Sequence, residues 1–165
     1  MYKRQLHELD LLILATGFYP NYFNVDKVVG EHGKTLDHCW NEEKTRTYKS
    51  ITLPGFPNYF MLIGPNCPIT NLSLVEIADI GCDYIMQLIE KMESGEVAAI
   101  SPKEDVTEAF NDKLNSSFDG TIWVSGCTSW YLDADGLPQT WPWAPQEYRR
   151  TLKTLDFEDY NVVAA

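Results

Sequence analysis

The chain has 165 residues with a net charge of −11, and 44% of its residues are hydrophobic. This length and apolar content predict a single folded domain with a substantial core. The negative charge argues against nucleic acid and anionic membranes as partners, because both repel an acidic protein. No apolar run approaches the length of a membrane span, and no secretory signal or C-x-x-C pair is visible. We therefore expect a cytoplasmic protein with free thiols and neither a zinc site nor a redox motif.

The chain opens with a nearly pure apolar run from Leu11 to Ala15, which Thr16 and Gly17 follow. This pattern predicts a strand that is buried on both faces and feeds a tight glycine turn. In open α/β sheets, ligands bind in the crevice outside the carboxyl ends of the strands. The run therefore predicts the rim of a ligand site.

A second buried strand is predicted at Tyr59 to Ile63, after a compact turn at Pro54 to Asn58 and before Gly64-Pro65-Asn66. Glycine at a strand end lets the backbone approach a ligand closely, and Thr16 and Asn66 carry side chains that form hydrogen bonds. Strands also end in glycine or asparagine simply to turn, so both interpretations stay open.

The segments between these two strands carry turn signals and polar residues. Glycines within Asp26 to Trp40 predict a short hairpin or an irregular connection, and the polar stretch 41–49 is expected to be exposed. His38 lies beside Asp37 and Cys39, but sequence neighbours point in different directions, which argues against a Cys/His nucleophile pair. No G-x-G pair occurs, so the chain carries no phosphate-binding fingerprint of its own.

Two capped helices are predicted in the middle of the chain. Ser73 to Glu76 matches a capping box, apolar residues follow at helical spacing to Met92, and Gly95 ends the helix. A second box at Ser101 to Glu104, with proline at the first helical position, predicts a helix that Gly120 ends.

The last third of the chain is aromatic and irregular. Thr121 to Val124 predicts a short strand, residues 126–145 a structured loop whose tryptophans need burial, and Gln146 to Leu155 a last helix. Within the loop, Asp133 to Gly136 is interpreted as an Asp-Gly turn rather than a calcium loop, because Gly136 follows Asp135 directly.

Three segments, in this order, resemble the flavin-dependent monooxygenases, the family that includes the Baeyer–Villiger enzymes. The first is Asp10 to Phe18 with its Ala-Thr-Gly-Phe ending, and the second is Pro54 to Asn66, which is similar to P-G-F-P-N-L-F-x-x-x-G-P-N. The third is Gly126 to Gly136, followed by Thr140-Trp-Pro142 and Glu147-Tyr-Arg149, which looks like the family's carboxyl-terminal signature. The match runs in order over nearly the whole chain.

The resemblance implies an α/β fold, as the carboxyl-terminal fragment of a flavoprotein with two dinucleotide-binding domains. Residues 1–24 would be the end of an NADPH-domain strand and the crossover, and residues 25–165 the carboxyl-terminal part of the FAD-binding domain. The fragment would contain few strands, a capped helix pair and an irregular aromatic-rich tail. Such enzymes bind FAD and NADPH and transfer one oxygen atom from O₂ to a small organic substrate, which is a ketone, an amine or a sulfide.

The resemblance also implies cofactor-binding residues. Thr16 and Gly17 would lie where the chain passes from the NADPH domain back to the FAD domain, Asn66 near the flavin, and Trp130 near the nicotinamide nucleotide. No catalytic residue and no metal ligand is predicted in this chain. Since it lacks the family's G-x-G-x-x-G turns, we expect no turnover from the chain alone. The alternative is a self-standing binding or assembly module that associates with itself through the exposed edges of the strand at Leu11 to Ala15.

Overall fold

The structure is a computed structural model that describes residues 6–16, 27–41, 46–126, 129–133 and 135–165. In these ranges the chain is mixed helix and strand, which agrees with the predicted class. The α-helices are α1 (Leu36–Asn41), α2 (Leu74–Glu93), α3 (Glu104–Ser116) and α4 (Pro145–Thr151). Strands β1 (Val97–Pro102) and β2 (Tyr160–Ala164) form an antiparallel pair, and short 3-10 helices lie at Glu31–Gly33, Ile122–Val124 and Phe157–Asp159.

Helix α2 confirms the first predicted helix. Its N-cap is Ser73, whose side chain accepts a hydrogen bond from the backbone N–H of Glu76 at 3.2 Å. One face of the helix is buried, because apolar residues recur every three or four positions. The buried residues are Ile77, Gly81, Tyr84 and Leu88. The helix ends before Gly95, which has a φ of 77° that glycine adopts without strain.

The second predicted helix exists as α3, but its predicted start is wrong. Ser101 and Pro102 belong to β1, where they lie opposite Asn161 and Tyr160 of β2, and the helix begins at Glu104 after Lys103. Neither strand was predicted, because the pairing joins residues that are far apart in the sequence. Proline suits the end of a strand, where no ladder hydrogen bond depends on its missing N–H.

The two strands predicted at Leu11 to Ala15 and Tyr59 to Ile63 are absent from the structure. Leu11 to Leu14 are between 67% and 78% exposed, and in the described ranges no strand pairs with this run. Tyr59 to Ile63 is irregular, and its Met61 N–H donates a hydrogen bond to the Ile51 carbonyl at 2.8 Å. An apolar run becomes a strand only where another strand satisfies its backbone groups.

The predicted strand at Thr121 to Val124 is also wrong, because Ile122–Val124 is a 3-10 helix. In the described residues of the loop after it, the tryptophans differ in burial. Trp141 is buried in the core, whereas Trp130 is exposed. The Asp-Gly turn is confirmed by Asp133, whose Oδ1 accepts hydrogen bonds from the N–H groups of Asp135 and Leu137.

The main core lies between α2, α3, α4 and the β1–β2 pair. Its largest fully buried side chains are Trp141, Tyr84, Tyr148 and Phe118. A smaller cluster joins α1 to the segment that follows it, and contains Leu36, Cys39, Leu53, Phe56 and Met61. None of the helices in the described ranges combines the length and apolar composition that crossing a membrane requires.

We predict that Ser73→Ala lowers the free energy of unfolding by about 1 kcal/mol, because the Glu76 N–H loses its capping partner. Urea denaturation followed by circular dichroism measures this change. Ser116→Ala is the control, since that hydroxyl donates to the Lys113 carbonyl at the other end of a helix and caps no N–H. Equal losses in the two variants would contradict a capping role for Ser73.

Candidate cofactor-binding site

The predicted cofactor-binding residues that the structure describes differ in their exposure to solvent. Thr16 is exposed at the end of the apolar run, and Gly17 lies outside the described residues. Trp130 is 52% exposed and stacks on Tyr131 with 4.0 Å between ring centroids. Asn66 is only 4% exposed. Among the residues that the structure describes, no hydrogen bond or ring contact joins Asn66 to Thr16 or Trp130, so their shared role stays a prediction.

Asn66 has the most distinctive environment of these residues. Its φ is 66°, a left-handed conformation that asparagine tolerates better than most residues. Its Oδ1 atom is buried and has no hydrogen-bond partner in the described part of the chain. A buried acceptor without a donor costs about 1–3 kcal/mol. Buried polar atoms of folded proteins are generally hydrogen-bonded, so this oxygen is a candidate acceptor for a ligand.

The segment that carries Asn66 packs against a strained turn at residues 47–51. Lys49 and Ser50 have consecutive positive φ values of 54° and 64°, and the turn closes through the Ile51 N–H and the Tyr48 carbonyl at 3.1 Å. A side chain at Gly64 is impossible without movement, because its Cβ would lie 2.2 Å from the Ser50 carbonyl oxygen. Strained backbone of this kind persists only where the surrounding structure enforces it.

Polar side chains of Thr47 and Ser50 line the boundary between these segments. The Thr47 hydroxyl donates to the Pro65 carbonyl at 3.3 Å, whereas the Ser50 Oγ is fully buried without a partner in the described ranges. The candidate site therefore contains two buried, unpartnered oxygens on neighbouring loops, those of Ser50 and Asn66. Sequence reasoning missed Ser50, because the preceding polar stretch was expected to be exposed, whereas residues 47–49 are buried.

Tyrosines around Lys49 hold this turn to α2 and β2. The Lys49 ammonium lies 4.9 Å from the ring centroid of Tyr48 and 5.2 Å from that of Tyr84. The Tyr84 and Tyr160 hydroxyls are hydrogen-bonded at 2.9 Å, and the Tyr48 hydroxyl donates to Asp159. Burial lowers the pKa of Lys49 and raises the pKa of Tyr160 to about 12. These groups anchor the turn, and the raised pKa of Tyr160 keeps its hydroxyl protonated near neutral pH.

Neither a metal ion nor a thiol nucleophile is supported at this site. In the described part of the chain, no group of three or more His, Cys, Asp or Glu side chains is placed to hold a metal. Burial raises the pKa of the neighbouring Cys67 thiol to about 12, which suppresses the reactive thiolate. The described groups of the site therefore offer hydrogen bonding to a ligand.

Curated proteins related to the chain carry monooxygenase names, although no protein-family profile matches it. An uncharacterized monooxygenase of Mycobacterium tuberculosis is 37% identical over 158 residues, which cover 95% of this chain and 32% of that protein. A Baeyer–Villiger monooxygenase of Streptomyces coelicolor is 31% identical over 94% of this chain and 31% of its own length. An FAD-binding monooxygenase of Dothistroma septosporum is 29% identical over 94% of this chain and 25% of its own length. The chain thus spans about a third or less of these relatives.

Solved structures with the same fold include cyclohexanone monooxygenases. A closed structure matches with a TM-score of 0.79 at 24% identity, and covers 97% of this chain and 31% of that protein. A variant from Rhodococcus sp. Phi1 bound to NADP⁺ matches with a TM-score of 0.77 at 22% identity over 97% and 30%. These matches confirm the predicted fold class, with the chain corresponding to part of a much larger structure.

Four buried tyrosines predict a cooperative loss of stability at alkaline pH. Burial raises the pKa values of Tyr48, Tyr84, Tyr148 and Tyr160 above the usual 10.0. Below about pH 10, the folded and the unfolded chain both keep the tyrosine hydroxyl protons. Above it the unfolded chain loses them first, so stability falls as pH rises towards the folded-state pKa values. Lys49 affects stability with the opposite dependence on pH. Because burial lowers its pKa, the cost of burying it falls as pH rises towards the usual 10.5.

We expect tyrosinate absorbance from these four side chains to appear together with the loss of circular dichroism, at a pH above 10. Tyr160→Phe is the matched control, since it should reduce the amplitude of this step. Gradual ionisation of all tyrosines with the fold intact would contradict the assignment.

Proposed function

We propose a role for this chain from the family to which it belongs, the flavin-dependent monooxygenases that include the Baeyer–Villiger enzymes. Residues 25–165 would form the carboxyl-terminal part of the FAD-binding domain, and residues 1–24 the end of an NADPH-domain strand and the crossover. The complete enzyme would use FAD and NADPH to transfer one oxygen atom from O₂ to a ketone, an amine or a sulfide. Relatives that match over 95% of the chain but only a third of their own length support this role.

The observation that carries the proposal is the buried, unpartnered Oδ1 of Asn66. A carboxamide oxygen can accept a hydrogen bond from an N–H group of a flavin ring, so the residue fits the cofactor that the family implies. The neighbouring Ser50 hydroxyl can donate or accept. Both side chains lie on loops that packing holds in one conformation, which favours a ligand of fixed shape.

Trp130 supplies the second proposed contact. Its indole is half-exposed and backed by the ring of Tyr131, so one flat aromatic face is available to a nucleotide base or nicotinamide ring. Stacking on such a face requires no particular hydrogen-bond pattern. Thr16 and Gly17 are proposed to line the crossover between the two cofactor domains. After its reduction by NADPH, bound FAD would carry out the chemistry with O₂. These residues would orient the two cofactors.

The exposed apolar run supports a chain that completes a larger protein. Leu11 to Leu14 expose most of their side-chain surface, and soluble monomers rarely leave such a contiguous patch uncovered. In the complete enzyme, the remaining part of the two cofactor domains would cover this run. The absence of a G-x-G pair from the sequence agrees with phosphate binding by that remaining part.

We predict that the isolated chain neither retains FAD nor oxidises NADPH. A chimera in which this chain replaces the matching part of the Streptomyces coelicolor relative should do both, measured by flavin absorbance and the loss of NADPH. In the chimera, Asn66→Gly keeps the positive φ but removes Oδ1, and should weaken FAD binding about tenfold.

His32→Gly is the matched control, because it removes another side chain at positive φ (57°) outside the candidate site. It should leave the FAD affinity unchanged. A folded chimera without flavin, or an isolated chain that oxidises NADPH with bound FAD, would overturn the proposed role.

The alternative role, a self-standing assembly module, is favoured by the same exposed run, which a second copy of the chain could cover. It predicts concentration-dependent dimers in sedimentation or light scattering at micromolar concentrations. The variant with Leu12→Asp and Ile13→Asp should then be monomeric with unchanged circular dichroism, because charges oppose burial of the run. A wild-type chain that stays monomeric throughout excludes this alternative.

A further inference from the structure

Asn58 forms three hydrogen bonds to the backbone of β1. Its own N–H donates to the Ile100 carbonyl at 2.9 Å, and its side-chain Oδ1 accepts from the Ile100 N–H at 3.0 Å. Its Nδ2 donates to the Ala98 carbonyl at 3.1 Å. Both backbone groups of the buried Ile100 are therefore satisfied by this one residue.

These contacts occupy the edge of β1 that faces away from β2. In an antiparallel pair, each residue directs its N–H and C=O either both towards the partner strand or both outward. Ile100 lies opposite Val162, yet its N–H and C=O bind Asn58, so they point outward. Asn58 thus acts in place of a third strand along this edge, where unsatisfied buried groups would otherwise destabilise the sheet.

The segment that begins at Asn58 leads directly to the candidate site and has little freedom in between. The Leu62 carbonyl oxygen lies against Gly81 of α2, where a Cβ would approach it to 3.1 Å. Gly64 lies against the Ser50 carbonyl, and the Pro65 carbonyl accepts a hydrogen bond from the Thr47 hydroxyl. The segment is therefore held by Asn58 at its start and by the turn at 47–51 at its end.

We propose that Asn58 is a positioning residue, which sets the place of Asn66 by attaching segment 58–66 to β1. Its φ of 58° directs the chain away from the sheet edge after the contacts are made, and asparagine combines this conformation with both a donor and an acceptor. The contact between Asn66 and FAD rests on the proposed function, whereas the attachment of segment 58–66 to β1 does not.

The test compares Asn58→Gly and Asn58→Asp with the control Gln87→Ala. Glycine keeps the positive φ and loses the side chain, whereas aspartate keeps the acceptor for the Ile100 N–H and loses the donor to Ala98. Gln87 also attaches one segment to another through its side chain, since it accepts from the Leu155 N–H at 2.8 Å and donates to the Lys153 carbonyl. Its contacts with 153–155 lie away from segment 58–66.

The first measurement is amide hydrogen exchange of the full chain. Asn58→Gly should accelerate exchange of the Ile100 and Met61 amides about tenfold, and Asn58→Asp should restore protection of Ile100. Gln87→Ala should accelerate exchange at Leu155 and leave Ile100 and Met61 unchanged. If Asn58→Gly accelerates exchange of the Met61 amide no more than Gln87→Ala does, Asn58 contributes general stability only and the proposal is overturned.

The second measurement is the flavin absorbance spectrum and FAD affinity of the chimera. Asn58→Gly should weaken FAD binding about tenfold and alter the flavin band, whereas Gln87→Ala should change neither. A wild-type chimera that takes up no FAD would refute the proposed function, while hydrogen exchange would still decide the attachment. Normal FAD affinity and an unchanged flavin spectrum in Asn58→Gly would overturn the positioning role at the site.

Discussion

The antiparallel pairing of β1 with β2 holds the rest of the described structure in place. It brings Tyr160 beside Tyr84 of α2 and Asp159 beside Tyr48 of the strained turn. The same pairing leaves the outer edge of β1 to Asn58. Without β2, the tyrosines would lose their partners and β1 would have no partner strand. The core and the candidate site therefore both depend on a contact between the last residues and the middle of the chain.

The candidate site combines rigidity with unused hydrogen-bonding capacity. Consecutive positive φ values, a glycine without room for a Cβ and two buried unpartnered oxygens meet where residues 47–51 contact residues 64–66. The left-handed backbone and the two buried oxygens have an energetic cost, and a folded chain tolerates such costs where the surrounding packing enforces them. A bound ligand that donates to Asn66 would offset part of this cost. The described site therefore suits hydrogen bonding to a ligand of fixed shape.

The chain matches only part of its relatives, and its most apolar run is exposed. The chain covers about a third of the monooxygenases that it matches, and its most apolar segment, Leu11 to Leu14, is exposed to solvent. Burial of that segment requires further protein surface. The described residues supply two buried oxygens, those of Ser50 and Asn66, and the exposed aromatic ring of Trp130.

The sequence by itself determined helix α2 and the Asp-Gly turn, because those structures are stabilised by residues close together in the chain. Ser73 and Gly95 bounded α2 correctly, and Asp133 formed the predicted turn. The family was likewise readable from motifs in linear order. Only the tertiary structure decided the strands, since Leu11 to Ala15 found no strand partner among the described residues, whereas Val97–Pro102 did. It also decided which polar atoms near Asn66 are buried, because burial depends on distant segments that no local pattern records.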